Sequence, residues 1–219
     1  IFVYSWELKY PDDLPCEESW APLLDLMDYI TTTLTDPEKI SDNLFNLFHK
    51  DNLLTAHTFY YAVMLTDNMM HNNYLSLYDV HTDGKLWITP WDLDASFGRD
   101  GKGSVLFQQR SESLIVANDC QPFRTLFDME DDNYYKGIHD KWEELKDEVL
   151  SEASVYAEID SLQHVISESG SWAREHERWN NSPHPLPLLL SEETSKMKAW
   201  YSFNYEWLSN YRLLTDGIV

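Results

Sequence analysis

At 219 residues, with 43% hydrophobic and 14% aromatic side chains, the chain can bury one substantial core, which excludes a disordered protein and predicts one domain or lobe over 1–219. The 38 acidic against 16 basic residues leave a net charge of −22, which repels nucleic-acid phosphates and anionic membrane surfaces, and no basic patch offsets it. No run reaches the roughly 20 apolar residues of a membrane helix, and Cys16 and Cys120 alone exclude a cysteine-rich zinc module, leaving open two buried thiols or one disulfide.

The opening Ile1-Phe2-Val3-Tyr4 has neither an initiating Met nor the charged start of a signal peptide, so a fragment or trimmed chain is expected. Residues 2–10 alternate loosely and read as a strand, stopped at Tyr10-Pro11-Asp12-Asp13. Ser19 is placed as the cap of a first helix, with Pro22 in its first turn and Leu23, Leu26, Met27 and Ile30 on one face. Thr35-Asp36-Pro37-Glu38 opens a second, carrying Ile40, Leu44, Leu47 and Phe48. Asp51 is placed as the cap of a third, whose Leu53, Leu54, Phe59, Tyr60, Val63 and Leu65 leave so little polar surface that it reads as a post buried on most sides. His57 on this post has no second ligand at metal spacing and reads as a hydrogen-bonded core histidine.

The post leads directly to Asp67 and to the stretch with the densest chemistry, residues 67–98. Tyr74-Leu75-Ser76-Leu77-Tyr78 alternates as a half-buried strand does, and Leu86-Trp87-Ile88-Thr89 is a second run of β-formers. The Asp83-Gly84 step between them is a strong turn signal. A hairpin returns the chain to its starting end, so Asp92 and Asp94 are expected near Asp67, Asn72 and Asn73. Such an oxygen cluster suits Mg2+, which takes one or two carboxylates and keeps waters while leaving positions for phosphate. The plainer alternative is that these residues only cap and turn the chain.

After Gly98 a glycine-containing loop is expected over 99–104, and 105–122 are poorly patterned. Helices are predicted over 123–129, 132–150, 154–167 and 172–179, the second with Tyr135, Ile138, Trp142, Leu145 and Val149 on one face. A proline-rich linker is expected over 180–187, followed by a helix of more than 20 residues from Ser191 through Trp200, Phe203, Trp207 and Leu208 to Leu214. There is no internal repeat, HExxH, GxSxG or cysteine pair at metal spacing.

Asp67, then Asn72 five positions later, then a hairpin, then Asp92 follow the order in which protein kinases place a catalytic Asp, a metal-binding Asn and a metal-binding Asp. The wording departs from ordinary kinases, with no His-Arg before Asp67 and no Asp-Phe-Gly triplet. The string PWDLDASFG at 90–98, with DNMMHNNYLSLY and GKLWITPW before it, closely resembles the CotH family of atypical protein kinases. Glu7 to Asp13, Arg174 to Trp179 and the close on Tyr211-Arg212 resemble the outer parts of its C-terminal half.

The resemblance implies a mainly helical α+β fold, a kinase-like C-terminal lobe with a short β-hairpin beside the active site. It implies metal-dependent transfer of the γ-phosphoryl of ATP to a protein Ser/Thr hydroxyl, with Asp67 orienting or deprotonating the acceptor. Asn72 and Asp92, with Asp94 as a further carboxylate, are the implied ligands of Mg2+ or Mn2+. A coat or surface protein is the implied partner, and the cell surface, the spore coat or an extracellular setting the implied location. The half that would carry the phosphate-pairing lysine is expected to be missing, since Lys9 and Lys102 are poor substitutes, so the chain alone is expected to be inactive. Two alternatives stand beside this: a non-catalytic surface or coat interaction domain stabilised by a divalent cation such as Ca2+, and a glycoside hydrolase pairing Asp67 with Asp92.

Overall fold

The computed structural model describes residues 7, 9, 16–33, 40–65, 68, 72–77, 84–99, 132–182 and 189–210. Among them the order of elements is α1 (Cys16–Thr33), α2 (Ile40–Leu47), α3 (Lys50–Val63), β1 (Asn73–Leu77), β2 (Leu86–Pro90), α4 (Asp132–Leu145), α5 (Glu152–Glu168), α6 (Ser171–Trp179) and α7 (Leu190–Asn210). The fold is α+β and mainly helical, with a β-hairpin as expected. Of the strand expected over 2–10 only Glu7 and Lys9 are described, and neither is in a strand; the helix over 123–129, the loop beyond Arg99, residues 183–187 of the linker expected over 180–187 and the Cys120 thiol lie outside the described residues.

The post predicted from the sequence is α3. Leu53, Leu54, Ala56, His57, Thr58, Tyr60, Tyr61, Ala62 and Val63 are all buried, because α3 packs against α4, α7 and β2. Its cap is His49, whose Nδ1 accepts the Asn52 N–H at 3.4 Å, and not Asp51. Asp51 is already inside the first turn, where its charge still complements the helix dipole, and it pairs with Lys141 at the surface. The first helix likewise begins at Cys16, three residues ahead of the Ser19 cap, and carries Pro22 inside it, since the fixed φ of proline is itself helical.

The far end of α3 is closed by a neighbour. Met64 takes a left-handed φ of 50° and, with Leu65, turns its N–H back to the Tyr60 carbonyl. The last-turn carbonyls of Tyr61 and Ala62 accept from Asn204 Nδ2 of α7, at 3.0 and 2.6 Å. Terminal carbonyls that a buried helix would otherwise leave orphaned are thereby satisfied.

α4 packs against α3 and buries Tyr134, Tyr135, Ile138 and Trp142, the last with its ring against Tyr205 of α7. His57 is the core histidine expected, fully buried with Nδ1 2.6 Å from the Tyr134 hydroxyl, and burial pushes its pKa down to about 3. α4 ends at Leu145, five residues short of the prediction, and Val149 faces solvent while Leu150 turns into the core. Ser151 is the reason: its Oγ accepts the Ser154 N–H and caps α5, which stops the backbone from continuing one helix through 146–151. The Leu150 carbonyl then accepts the Tyr201 hydroxyl of α7 at 2.6 Å.

Candidate metal centre

Two strands alone are marginal in water, and α3 supplies the support. Asn52 Oδ1 accepts the Ile88 N–H at 2.7 Å while its Nδ2 donates to the Ile88 carbonyl at 3.1 Å, so one amide side chain binds β2 as a neighbouring strand would. The His49 N–H donates to the Leu86 carbonyl at 2.9 Å beside a parallel bridge from Phe48 to Leu86. Leu75 opposite Ile88 and Leu77 opposite Leu86 form the inner face of the antiparallel pair. Tyr74 opposite Thr89 and Ser76 opposite Trp87 form the outer face, with the His49 ring stacked on Trp87 at 4.1 Å. The side-chain period of two puts one face in the core and the other in water.

The open end of the hairpin is tied by asparagines. One residue beyond the last registered pair, Asn73 with Pro90, the Trp91 N–H donates to the Asn72 carbonyl at 2.7 Å. Asn68 is fully buried and donates Nδ2 to that same Asn72 carbonyl at 3.1 Å and to the Trp91 carbonyl at 2.7 Å. Asn73 Nδ2 donates to the Asn68 carbonyl, and its Oδ1 accepts from the Tyr60 hydroxyl of α3. Burial raises the Tyr60 pKa, which keeps that hydroxyl a donor.

Asn72 and Asp92, which this knot brings side by side, both have left-handed backbones, with φ of 48° and 56°. Non-glycine residues adopt this region rarely, and such residues cluster where a site demands a particular side-chain direction. Asp92 and Asp94 are exposed, so their carboxylates open to solvent rather than to the core.

The exit from the site is fixed by α7. The Phe97 N–H donates to the Val63 carbonyl at 2.9 Å, and its ring lies 6.2 Å from the Trp200 ring and 6.0 Å from Tyr201. Gly98 has φ 78° and lies so close to the Trp200 indole that a Cβ there would collide with the ring. Arg99 Nε donates to Glu193 at 2.8 Å, again on α7. Pro90 to Arg99 is therefore held at both ends, by the asparagine knot and by α7.

A family model described as CotH kinase protein matches residues 7–211, most of the chain. The chain belongs to the CotH kinase family. No curated protein and no solved structure matches it in the other two comparisons. Family membership brings a kinase-like character with it, and the match takes in the whole hairpin and the segment up to Arg99.

Of the residues predicted for the site, Asn72 and Asp92 are brought together and Asp94 follows two residues on along the same exposed segment. Asp67 lies outside the described residues. Among the described residues no three His, Cys, Asp or Glu side chains form a metal-holding group. An amide and two exposed carboxylates nonetheless suit a hard cation that retains waters, which is the way Mg2+ is usually held. Asn73, expected in the oxygen cluster, instead ties the hairpin base to Asn68 and Tyr60, while Asn68, Tyr60 and Asn52 escaped the sequence reading as site-forming residues. The run of three asparagines in 68–73 was the available signal, since amides can serve both faces of a backbone turn. Among the described residues no helix is long and apolar enough to cross a membrane.

Proposed function

We propose that this CotH kinase family member is the cation-holding lobe of a protein kinase, transferring the γ-phosphoryl of ATP to a Ser/Thr hydroxyl of a coat or surface protein. The observation that carries this is the pairing of Asn72 with Asp92 on left-handed backbone at the mouth of the hairpin. Asn72 Oδ1 and the Asp92 and Asp94 carboxylates would hold Mg2+ or Mn2+. The cation, when bound, neutralises phosphate charge, which this acidic chain would otherwise repel. Asp67 accepts the proton of the acceptor hydroxyl and orients that oxygen toward phosphorus. The left-handed turn directs Asp92 out of the core, and the outer aromatic face of the hairpin borders the site.

Calorimetric titration of the chain with Mg2+, Mn2+ and Ca2+, each with and without ATP, tests the reading. The expected result is nucleotide binding that requires Mg2+ or Mn2+ and is lost in Asp92→Asn. A second reading, a non-catalytic domain stabilised by a cation, draws on the exposure of both carboxylates. It is favoured if Ca2+ binds alone and ATP never does, because Ca2+ accepts looser oxygen geometry.

A further inference from the structure

Asn68 is the least expected member of the hairpin base. It is fully buried, and Oδ1 has no hydrogen-bond partner among the described residues, so the donor end of the amide makes both side-chain bonds found there. An unpartnered buried acceptor costs stability, which argues against a residue kept for the core alone. Its two bonds fall on particular peptide planes. The Asn72 carbonyl belongs to the plane that sets ψ of Asn72, and the Trp91 carbonyl belongs to the plane about which φ of Asp92 is measured. Asn72 and Asp92 are the two left-handed residues at the hairpin mouth; Met64 and Phe97, the other non-glycine residues with positive φ among the described residues, lie at the end of α3 and at the exit toward α7. One NH2 group therefore spans both strand ends and holds both backbones in a conformation they would otherwise tend to leave.

From this geometry we infer that Asn68 is a positioning residue for the cation site: its amide sets the directions of the Asn72 and Asp92 side chains and touches neither ligand atom. The inference rests on the cation reading above and adds to it a residue outside the ligand set. The molecule contains its own control. Asn204 is equally buried and also donates Nδ2 to two backbone carbonyls, but at the end of α3, where it closes a helix and orients no ligand.

The test is a Mn2+ titration of the chain, with free Mn2+ read by electron paramagnetic resonance, together with hydrogen exchange of the Trp91 amide in the metal-free protein. Asn68→Asp keeps the shape and removes the donor. It should weaken Mn2+ binding about tenfold or more, the usual loss when a group orienting a ligand is removed, and should speed exchange at Trp91. Asn204→Asp should lower the melting temperature and leave both readouts at wild-type values. If Asn68→Asp does not fold, Asn68→Ser, which fits the same space with a shorter donor, is measured instead, with the same direction expected. Unchanged Mn2+ affinity in the folded Asn68 variant overturns the inference while the cation reading stands. A wild-type chain that takes up no Mn2+ overturns the cation reading itself, and with it this role for Asn68.

Discussion

The α3–α4–α7 core and the hairpin mouth use similar side chains for opposite ends. In the core, aromatic rings and polar groups such as His57, Thr58 and Asn204 are buried with their partners in regular helices. At the mouth, Asn72 and Asp92 sit in left-handed conformations and the Asp92 and Asp94 carboxylates face water. Strain and exposure are tolerable at the mouth because Asn52, Tyr60, Val63 and Trp200 anchor it to the core from behind. Stability resides in one region and the proposed cation site in the other, and substitutions should separate the two.

The largest effect is expected deep in the core. Trp200→Ala should cost about 3–5 kcal/mol, seen as a large fall in denaturant midpoint; a loss below ~1 kcal/mol would mean that α7 is not the wall the site leans on. Gly98→Ala joins the two regions, since it forces a Cβ onto the Trp200 indole from a left-handed backbone. Overpacking and backbone strain together predict about 3 kcal/mol, and a variant as stable as wild type would show that the contact can yield.

Next comes acid. The buried neutral His57 takes a proton only near pH 3, whereas in the unfolded chain it does so near its ordinary value of 6.5. The unfolded state therefore binds more protons throughout that window. The stability from keeping His57 neutral is full above pH 6.5 and is lost progressively as pH falls toward 3, by at most about 1.4 kcal/mol per pH unit. His57→Gln should flatten the melting-temperature profile between pH 6.5 and 4 relative to wild type; parallel profiles would count against a neutral buried imidazole.

The smallest stability effect belongs to the mouth. Asp92→Gly relaxes a left-handed residue whose side chain is exposed, so its melting temperature should equal or slightly exceed that of wild type, a change within about 1 kcal/mol, while Mn2+ binding is lost. A fall of several degrees would show that Asp92 serves the fold as well, and the contrast between the two regions would weaken.

Much of this was legible in the chain. The alternation in 74–78, the run of β-formers in 86–89, the Asp-Gly step and the apolar wrap of α3 are local patterns, so the hairpin and the post behind it could be read directly. The asparagine and aspartates expected to form the site lie within thirty positions of one another by simple count, and the hairpin needed only its turn signal to bring Asn72 to Asp92. Caps were read less well. Ser19 and Asp51 are good capping types, yet backbone already helical at Cys16 and the His49 side chain took precedence, because a cap depends on where the helix packs as well as on residue type. Val149 fits the α4 stripe by spacing, but the Ser151 cap ends that register before it is reached.

By itself the sequence determined the helical α+β class, the hairpin, the buried post with its hydrogen-bonded histidine and the family signature, all encoded in neighbours close along the chain. Only the tertiary structure decided that Asn204 closes α3 from 142 residues away, that Trp200 leaves room for nothing larger than Gly98, and that Asn68 joins the peptide planes of Asn72 and Asp92. Those pairings join segments distant in sequence, and an amide's partner is chosen by whichever unsatisfied carbonyl folding brings within reach.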